Sequence, residues 1–280
     1  MADAITGNTE LGSTKQDLIA ALVQKELAFN AVLTRWFTDL STLAVAGAKS
    51  VSIPKLSSFT VVDRTEGSPG DASALTATVD QLLLDKNAYV AWIIDSMTAI
   101  QSNIPAQLEF ARRAAAAQSR YVDAQIIAEL RVIANSFVNV GTDVDITYAN
   151  TVDMVKELEE SNADMSMAAW LVSPQQKAAL MKLDEFKRAD VYGSANIPRG
   201  LVGEIHGVPV VVHNGLLGKE AFLCEKSGLA FAFQKGAQYG EQPEISYGVG
   251  AMKAAIDQLF GIKGMQLSGG KSPLILGLND

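Results

Sequence analysis

The sequence predicts an α+β protein, and three observations carry that reading. Leu108, Ala111, Ala115, Ser119, Val122, Ile126, Leu130 and Ile133 recur at steps of three and four, tracing one face of a single long helix. Ahead of it, Val51, Ile53 and the stretch TVVDR (Thr60–Arg64) favour strands, and LTATVDQLLLDK (Leu75–Lys86) returns as a second extended segment. Behind it lie short apolar pieces separated by glycines and prolines, in the style of a compact mixed unit with short connections.

Taken in order, residues 1–13 are small and polar and read as a flexible arm. Thr14 and Asp17 resemble a capping box, and Leu18, Leu22, Phe29, Val32, Leu33, Trp36 and Leu40 follow at near-helical spacing. That amphipathic stretch either joins the core of its own chain or docks on a neighbouring copy. Pro54 restricts Ile53 to extended geometry. TEGSPGDAS (Thr65–Ser73), with Gly67, Pro69 and Gly70, is a turn cluster between the two extended segments. The result is a long two-stranded excursion with a polar tip. Such a hairpin is marginal alone in water and needs a surface to lie against, for which a neighbouring subunit is the natural candidate.

Asn87–Ala99 is expected to be a shorter helix. The long helix then runs from about Asn103 to Asn135, capped by Ser102 or Asn103, with Pro105 in the first turn, where its missing N–H costs nothing. Glu109, Arg112, Arg113, Arg120, Asp123 and Arg131 occupy much of its remaining surface, as a solvated face or as pairs across subunit contacts. Thr151–Asn162 is a short helix, WLVSP (Trp170–Pro174) a buried strand, and Gln175–Asp184 a following helix. Val191–Leu216 holds several short extended pieces, and KSGLAFAFQKG (Lys226–Gly236) adds an apolar segment. GAMKAAIDQLFG (Gly250–Gly261) has helical propensity.

Composition bounds the function. The 280 residues are 48% hydrophobic and 19% charged, within the range of a folded globular chain, and the net charge is −8. A protein gripping phosphates would show a basic surplus or stripe, so contact with nucleic acid is expected to be loose. Cys224 is the single cysteine, which excludes an intrachain disulfide framework. The first residues lack the basic start and apolar run of a signal peptide, and no apolar stretch approaches the ~20 residues of a membrane span. The expectation is a protein made in a reducing cytoplasm, with no membrane partner.

Chemistry is sparse. In GMQLSGGKS (Gly264–Ser272) a phosphate loop would need glycine where Met265 stands, and Pro273 leaves no room for its helix. Gly248-Val-Gly250 reads as a bend. His206 and His213, the only histidines, have no cysteine or carboxylate cluster to complete a metal site and are read as structural. Cys224 has no paired base in LCEK and is expected to be a buried thiol. Asp143/Asp145 and Glu159/Glu160 read as solvated charges, and no GxSxG elbow is present. The sequence therefore predicts no catalytic residue, no cofactor and no metal. An ordinary soluble α/β enzyme stands as the competing class, since distant residues can still converge.

The order of arm, long extended loop, long helix, compact α+β unit and returning tail resembles the HK97-like major capsid proteins of tailed phages. The resemblance is carried by SVSIPK (Ser50–Lys55), LLLDK (Leu82–Lys86), Ile94–Asp95 and the alanine- and arginine-rich run ARRAAAAQSRYVDAQI (Ala111–Ile126). WLVSP, IPRGLVGEIHGVPVVV (Ile197–Val212) and LFGIKGM (Leu259–Met265) complete it, so that it covers roughly residues 30–265. It implies an N-terminal arm (1–48), an extended β-hairpin loop lying over a neighbour (49–86), a peripheral domain with the long spine helix (87–149 and 246–280) and an axial domain (150–245). It also implies a strand near 250–261, against the helical propensity there.

The function it implies is self-assembly into the pentamers and hexamers of an icosahedral shell enclosing double-stranded viral DNA, so that the chain resides in the virion after assembly in the host cytoplasm. Portal, scaffolding and decoration proteins are the implied further partners. An encapsulin-type nanocompartment shell shares the fold and is the alternative; the N-terminal helix and the prominent loop favour the virus. Phe29, Trp36 and Phe37 in the arm, Arg64, Glu66 and Asp71 in the loop, and Arg112, Arg113 and Arg120 on the spine are the candidate intersubunit contacts. Lysine–asparagine crosslinking, known in some proteins of this fold, is not carried over, because no residue pair here is marked for it.

Overall fold

The computed structural model describes residues 19, 21–23, 32–56, 63, 66, 77–95, 106–134, 145–161, 163–183, 203–265 and 275–278. Eleven strands and three α-helices form two sheets and a separate hairpin among these residues. The strands are β1 (Thr38–Asp39), β2 (Ser50–Leu56), β3 (Ala77–Leu83), β4 (Lys86–Ile94), β5 (Ala168–Val172), β6 (Glu204–Ile205), β7 (Val208–Val212), β8 (Ala221–Glu225), β9 (Leu229–Pro243), β10 (Met252–Gly264) and β11 (Ile275–Leu278). The helices are α1 (Ala106–Ala134), α2 (Tyr148–Glu160) and α3 (Pro174–Leu180).

The long helix forms as its apolar period dictates. At 29 residues, α1 extends for about 43 Å at ~1.5 Å per residue. It lies along a four-stranded sheet ordered β1-β9-β10-β4. Its N-terminal half buries Ala111, Ala114 and Ala115 against Ala237, Tyr239, Ala254 and Ile256, small side chains that let the rod sit close to the strands. Its C-terminal half buries Val122, Ile126, Ile127 and Leu130 in a core that also contains Leu171 and Phe222 of the second sheet and Phe231 and Phe260 of the first. One helix thus seals both units.

The second sheet is ordered β11-β8-β5-β7-β6. Every residue of β5 is buried, as the continuous apolar run AAWLV requires of a central strand. α2 starts on Thr147, whose hydroxyl accepts the Asn150 N–H. α3 starts on Ser173 with Pro174 at its first position, and the Ser173 hydroxyl accepts the Gln176 N–H at 3.1 Å. Met154, Leu158, Trp170, Leu180 and Leu223 fill the core between these helices and the sheet.

Four expectations are corrected. Asn87–Ile94 is not helical: it lies in β4, in antiparallel register with β10 over nine residues. Tyr89, Val90, Trp92, Ile93 and Ile94 are aromatic or β-branched, and the burial of Ala88 and Ile94 on one side fits a pleated surface. The helical propensity of Gly250–Gly261 gives way to the strand that the resemblance implies: from Met252 it is the central β10, which pairs on both sides and buries Ala254, Ile256, Gln258 and Phe260 in alternation, so non-local pairing overrides propensity. The amphipathic stretch expected up to Leu40, as one helix or two helical pieces, is α-helical at residues 19 and 21–23, but its last part is a 3-10 turn at Leu33–Trp36 followed by β1, which adds in parallel to β9. Asp39 accepts the Ser41 N–H at 2.8 Å, a local bond that competes with helix. Finally, the tail does not belong wholly to the first unit: β11 pairs with β8 in the second sheet, where the apolar Ile275, Leu276 and Leu278 extend an otherwise open edge.

The extended loop begins as an antiparallel hairpin of β2 and β3, Ser50 opposite Leu83 through Leu56 opposite Ala77. Its root rests on its own chain: Val51, Leu82 and Leu84 pack with Ala230 and Ala232. Gly261 of β10 permits this, since a Cβ there would run into the Leu83 carbonyl. The opposite face leaves Val79 and Leu83 exposed.

Candidate functional site

The described residues converge on no reactive centre. No group of three His, Cys, Asp or Glu side chains among them could hold a metal ion. Cys224 is buried, and burial pushes its thiol far above the ordinary range, so it is a weak nucleophile. His206 sits at φ +52° in the turn between β6 and β7, with Nε2 3.1 Å from the Thr151 hydroxyl and its ring against Tyr148. Gly248 and Gly250, both at positive φ, make the bend between β9 and β10. Asp145 pairs with Lys219 at 3.1 Å, and Glu160 with Lys156 at the surface. Asp143 and most of the 264–272 segment lie outside the described residues.

The polar side chains of α1 tie elements together. Asp123 is buried, and its carboxylate accepts the N–H of Val32 and of Leu33, each at 3.3 Å, and Nε2 of His213 lies 3.2 Å away. Nδ1 of His213 takes the Gly215 N–H at 3.0 Å, so the ring proton sits on Nε2 and points at Asp123. Two turns further on, Arg131 grips Glu220 through Nε at 2.7 Å and Nη2 at 2.8 Å, and the bonded carboxylate raises the arginine's pKa further. Glu220 also accepts the Leu217 N–H, so no oxygen of this buried carboxylate is left unpaired. Sequence reading leaves Asp123 and Arg131 among the polar residues of the helix surface, solvated or paired across subunit contacts; the structure pairs both within the chain. Only the fold shows that the chain before β1 and the turns after β7 come to them.

The sequence-derived contact residues are dispersed. Phe37 is 2% exposed and belongs to the core of its own chain, so it has no surface to give a neighbour, a correction with a plain cause: β1 draws it under the sheet. Trp36 packs partly against the same core. Glu66 is exposed, and Phe29, Arg64 and Asp71 lie outside the described residues. Arg112, Arg113 and Arg120 are exposed along α1, where Arg113 bonds Glu109 one turn back at 3.1 Å. Sequence reading takes Gly248-Val-Gly250 as a bend but misses the apolar surface it carries, where Ile245 is 80% and Val249 92% exposed beside an exposed Tyr247. Large apolar side chains at a loop tip are a contact signal, and ISYGV was readable as one.

What the molecule offers, then, is surfaces: a hairpin with Val79 and Leu83 outward, an apolar tip, and an arginine-lined rod. No family model matches the sequence, and no curated protein resembles it in sequence. Solved structures do match in shape. A chain from Mycobacterium phage Che8 superposes with a TM-score of 0.72 at 17% identity, over 89% of this chain and 91% of that one. The capsid of cyanophage P-SCSP1u gives 0.72 at 9% identity, over 89% and 88%. The virus-like particle from Pyrococcus furiosus gives 0.60 at 10%, over 95% and 99%. A rod-like helix along one sheet, a rooted hairpin and a second sheet with two helices are the parts of the HK97-like capsid fold, and this chain has that fold.

Proposed function

We propose that the chain is the major capsid protein of a tailed bacteriophage, assembling into the pentamers and hexamers of an icosahedral shell around double-stranded DNA. One observation carries this reading: likeness to a phage capsid protein extends over nearly nine-tenths of both chains, leaving little of this chain for another activity. Exposed Val79 and Leu83 of the hairpin and the Ile245–Val249 tip supply apolar surface that a subunit would bury between copies. The net charge of −8 suits a container whose wall must not hold its DNA tightly. In this reading the protein acts in the virion after assembly in the host cytoplasm. Portal, scaffolding and decoration proteins are its further partners, and Phe29, Trp36, Arg64, Glu66, Asp71, Arg112, Arg113 and Arg120 are contact candidates.

The similarity to the Pyrococcus furiosus particle, which extends over 99% of that chain, supports a second reading as the shell of a cellular compartment. Electron microscopy of the purified protein tests both. Closed icosahedral shells are expected; a small soluble oligomer under every ionic condition refutes both. Shells from the native source that contain a cargo enzyme and no DNA refute the first alone.

A further inference from the structure

The turn that follows β7 holds a histidine in a way that fits only its neutral ring. The Leu216 N–H donates to the His213 carbonyl at 3.3 Å, which makes His213-Asn214-Gly215-Leu216 a β-turn. Both of its ends are fixed. The His213 N–H donates to the Val172 carbonyl of β5 at 3.1 Å, and Leu216 is buried in the core that α1 shares with both sheets. The ring is fixed as well: Nε2–H points at Asp123 from 3.2 Å, and Nδ1 accepts the Gly215 N–H at 3.0 Å. A side-chain acceptor at the first position of a turn that takes the N–H of the third is the bond that favours Asp, Asn and Ser at the start of type I turns. Gly215, the third residue, lies outside the left-handed region, as type I requires.

We propose that this turn is a proton-operated switch, in which protonation of His213 flips the Asn214–Gly215 peptide and converts the turn from type I to type II. Histidine changes charge between about pH 5 and about pH 8, and here the second proton can go only to Nδ1, because Nε2 already carries one. Nδ1–H and the Gly215 N–H then face each other as two donors. The ring has no reason to leave, since Asp123 keeps its hold through Nε2–H and gains from the positive charge. Nor has it room on the other side, where a Cβ on Gly215 would come within 2.9 Å of both the ring and Ile127. The exposed peptide plane between Asn214 and Gly215 is what can turn. Its rotation sends the Gly215 N–H to solvent and brings the Asn214 carbonyl to Nδ1–H. A type II turn needs positive φ at its third residue, a conformation that Gly215 takes freely.

The other charged groups on the surrounding elements are engaged elsewhere or exposed. Glu220 and Lys219 are held by Arg131 and Asp145, Glu129 accepts the Gly264 N–H, and Arg35 and Arg120 are exposed. β5 (AAWLV) and β7 (VPVVV) carry no charge. Asp123 is therefore the charge that meets the proton. Asn214 and Leu217 are exposed on either side of the flipping peptide, so acid changes the outer surface of the turn while Leu216 stays in the core. The inference stands on this turn alone and holds whether or not the chain builds a shell.

Hydrogen exchange of the full chain at about pH 8 and about pH 5, corrected for the intrinsic pH dependence of exchange, tests the switch. Protection of the Gly215 amide is expected to fall about tenfold in acid, while that of Leu216 persists because both turn types keep its bond to His213. His213→Asn retains an acceptor at the first turn position that takes no proton, so its Gly215 amide should stay protected at both pH values. The wild-type chain gives a second readout that needs no variant. In NMR spectra of the subunits, the Gly215 amide and the His213 ring nitrogens should shift with one midpoint. The nuclear Overhauser contact between the Asn214 and Gly215 amide protons should give way in acid to one between the Asn214 Hα and the Gly215 amide proton. Equal Gly215 protection at both pH values, an equal acid loss in His213→Asn, or a turn that stays type I while the ring titrates overturns the switch.

Discussion

Asp123→Ala isolates the bond by which the spine helix holds the chain ahead of the first sheet. The substitution removes the acceptor of three donors, the N–H groups of Val32 and Leu33 at 3.3 Å and Nε2–H of His213 at 3.2 Å. A hydrogen bond to a charged group contributes roughly 1.5–3 kcal/mol, and these lie at the long end of the distance range, so about 1.5 kcal/mol each is reasonable. The gross loss is then about 4.5 kcal/mol, offset by relief from keeping a carboxylate in a buried site. A net cost of about 3 kcal/mol follows, within the ~3–5 kcal/mol typical of removing one partner of a buried pair.

Asp123→Asn does not escape it. The amide keeps one acceptor oxygen but turns N–H groups toward donors, and His213 cannot switch tautomer to compensate, because Nδ1 is needed by the Gly215 N–H. Urea unfolding of unassembled subunits measures the cost. Limited proteolysis should show faster cleavage near Val32–Leu40, since Leu33 and Phe37 lose the tie that seats them. The double-mutant cycle with His213→Ala should give about 1 kcal/mol of coupling. An Asp123→Ala chain within 0.5 kcal/mol of wild type would refute the reasoning.

Two further outcomes follow from the packing. Gly261→Ala places a methyl against the Leu83 carbonyl, so the root of the hairpin must lift; a loss of about 2 kcal/mol and of shell formation is expected, and an alanine variant that assembles normally would show the hairpin needs no such seat. Cys224, buried with its thiol pushed up, should resist iodoacetamide in native subunits at pH 8 and react at once in urea; equal rates in both states would place it at the surface.

Where the sequence carried a complete local signal, structure and expectation agree. The steps of three and four from Leu108 to Ile133 needed no partner to be read, and neither did the helix after WLVSP, although it begins at Pro174, one residue ahead of the expected Gln175. The failures have a single cause, pairing between distant segments. Asn87–Ile94 and Met252–Gly264 contain alanines and alternate imperfectly, and each becomes a strand because the other lies beside it. Thr38–Asp39 is too short to register as anything until β9 offers an edge. The same limit governs the site. Gln118 reads as one more polar residue on a helix, and its unpaired carbonyl exists only because β4 and β10 arrive where they do. The apolar ISYGV tip was visible in one dimension, but its exposure was not.

The polar groups on the buried side of α1 explain why one rod can organise both sheets. Gln118 bonds the carbonyls of β4 and β10, Asp123 the chain before β1 and the turn after β7, Glu129 the Gly264 N–H at the end of β10, and Arg131 the turn before β8. Apolar packing fits the helix to each sheet by shape, and the buried polar groups add directional constraints to that fit. A directional bond every few residues cannot be remade after a shift of one turn, so the register of the rod against both sheets is fixed at four places along its length. Net stability is a poor reason to bury such groups, since well-packed apolar side chains do as well. Fixed register is a better one for a shell subunit. If the chain assembles as proposed, a small error in the angle between the two sheets would be repeated at every copy.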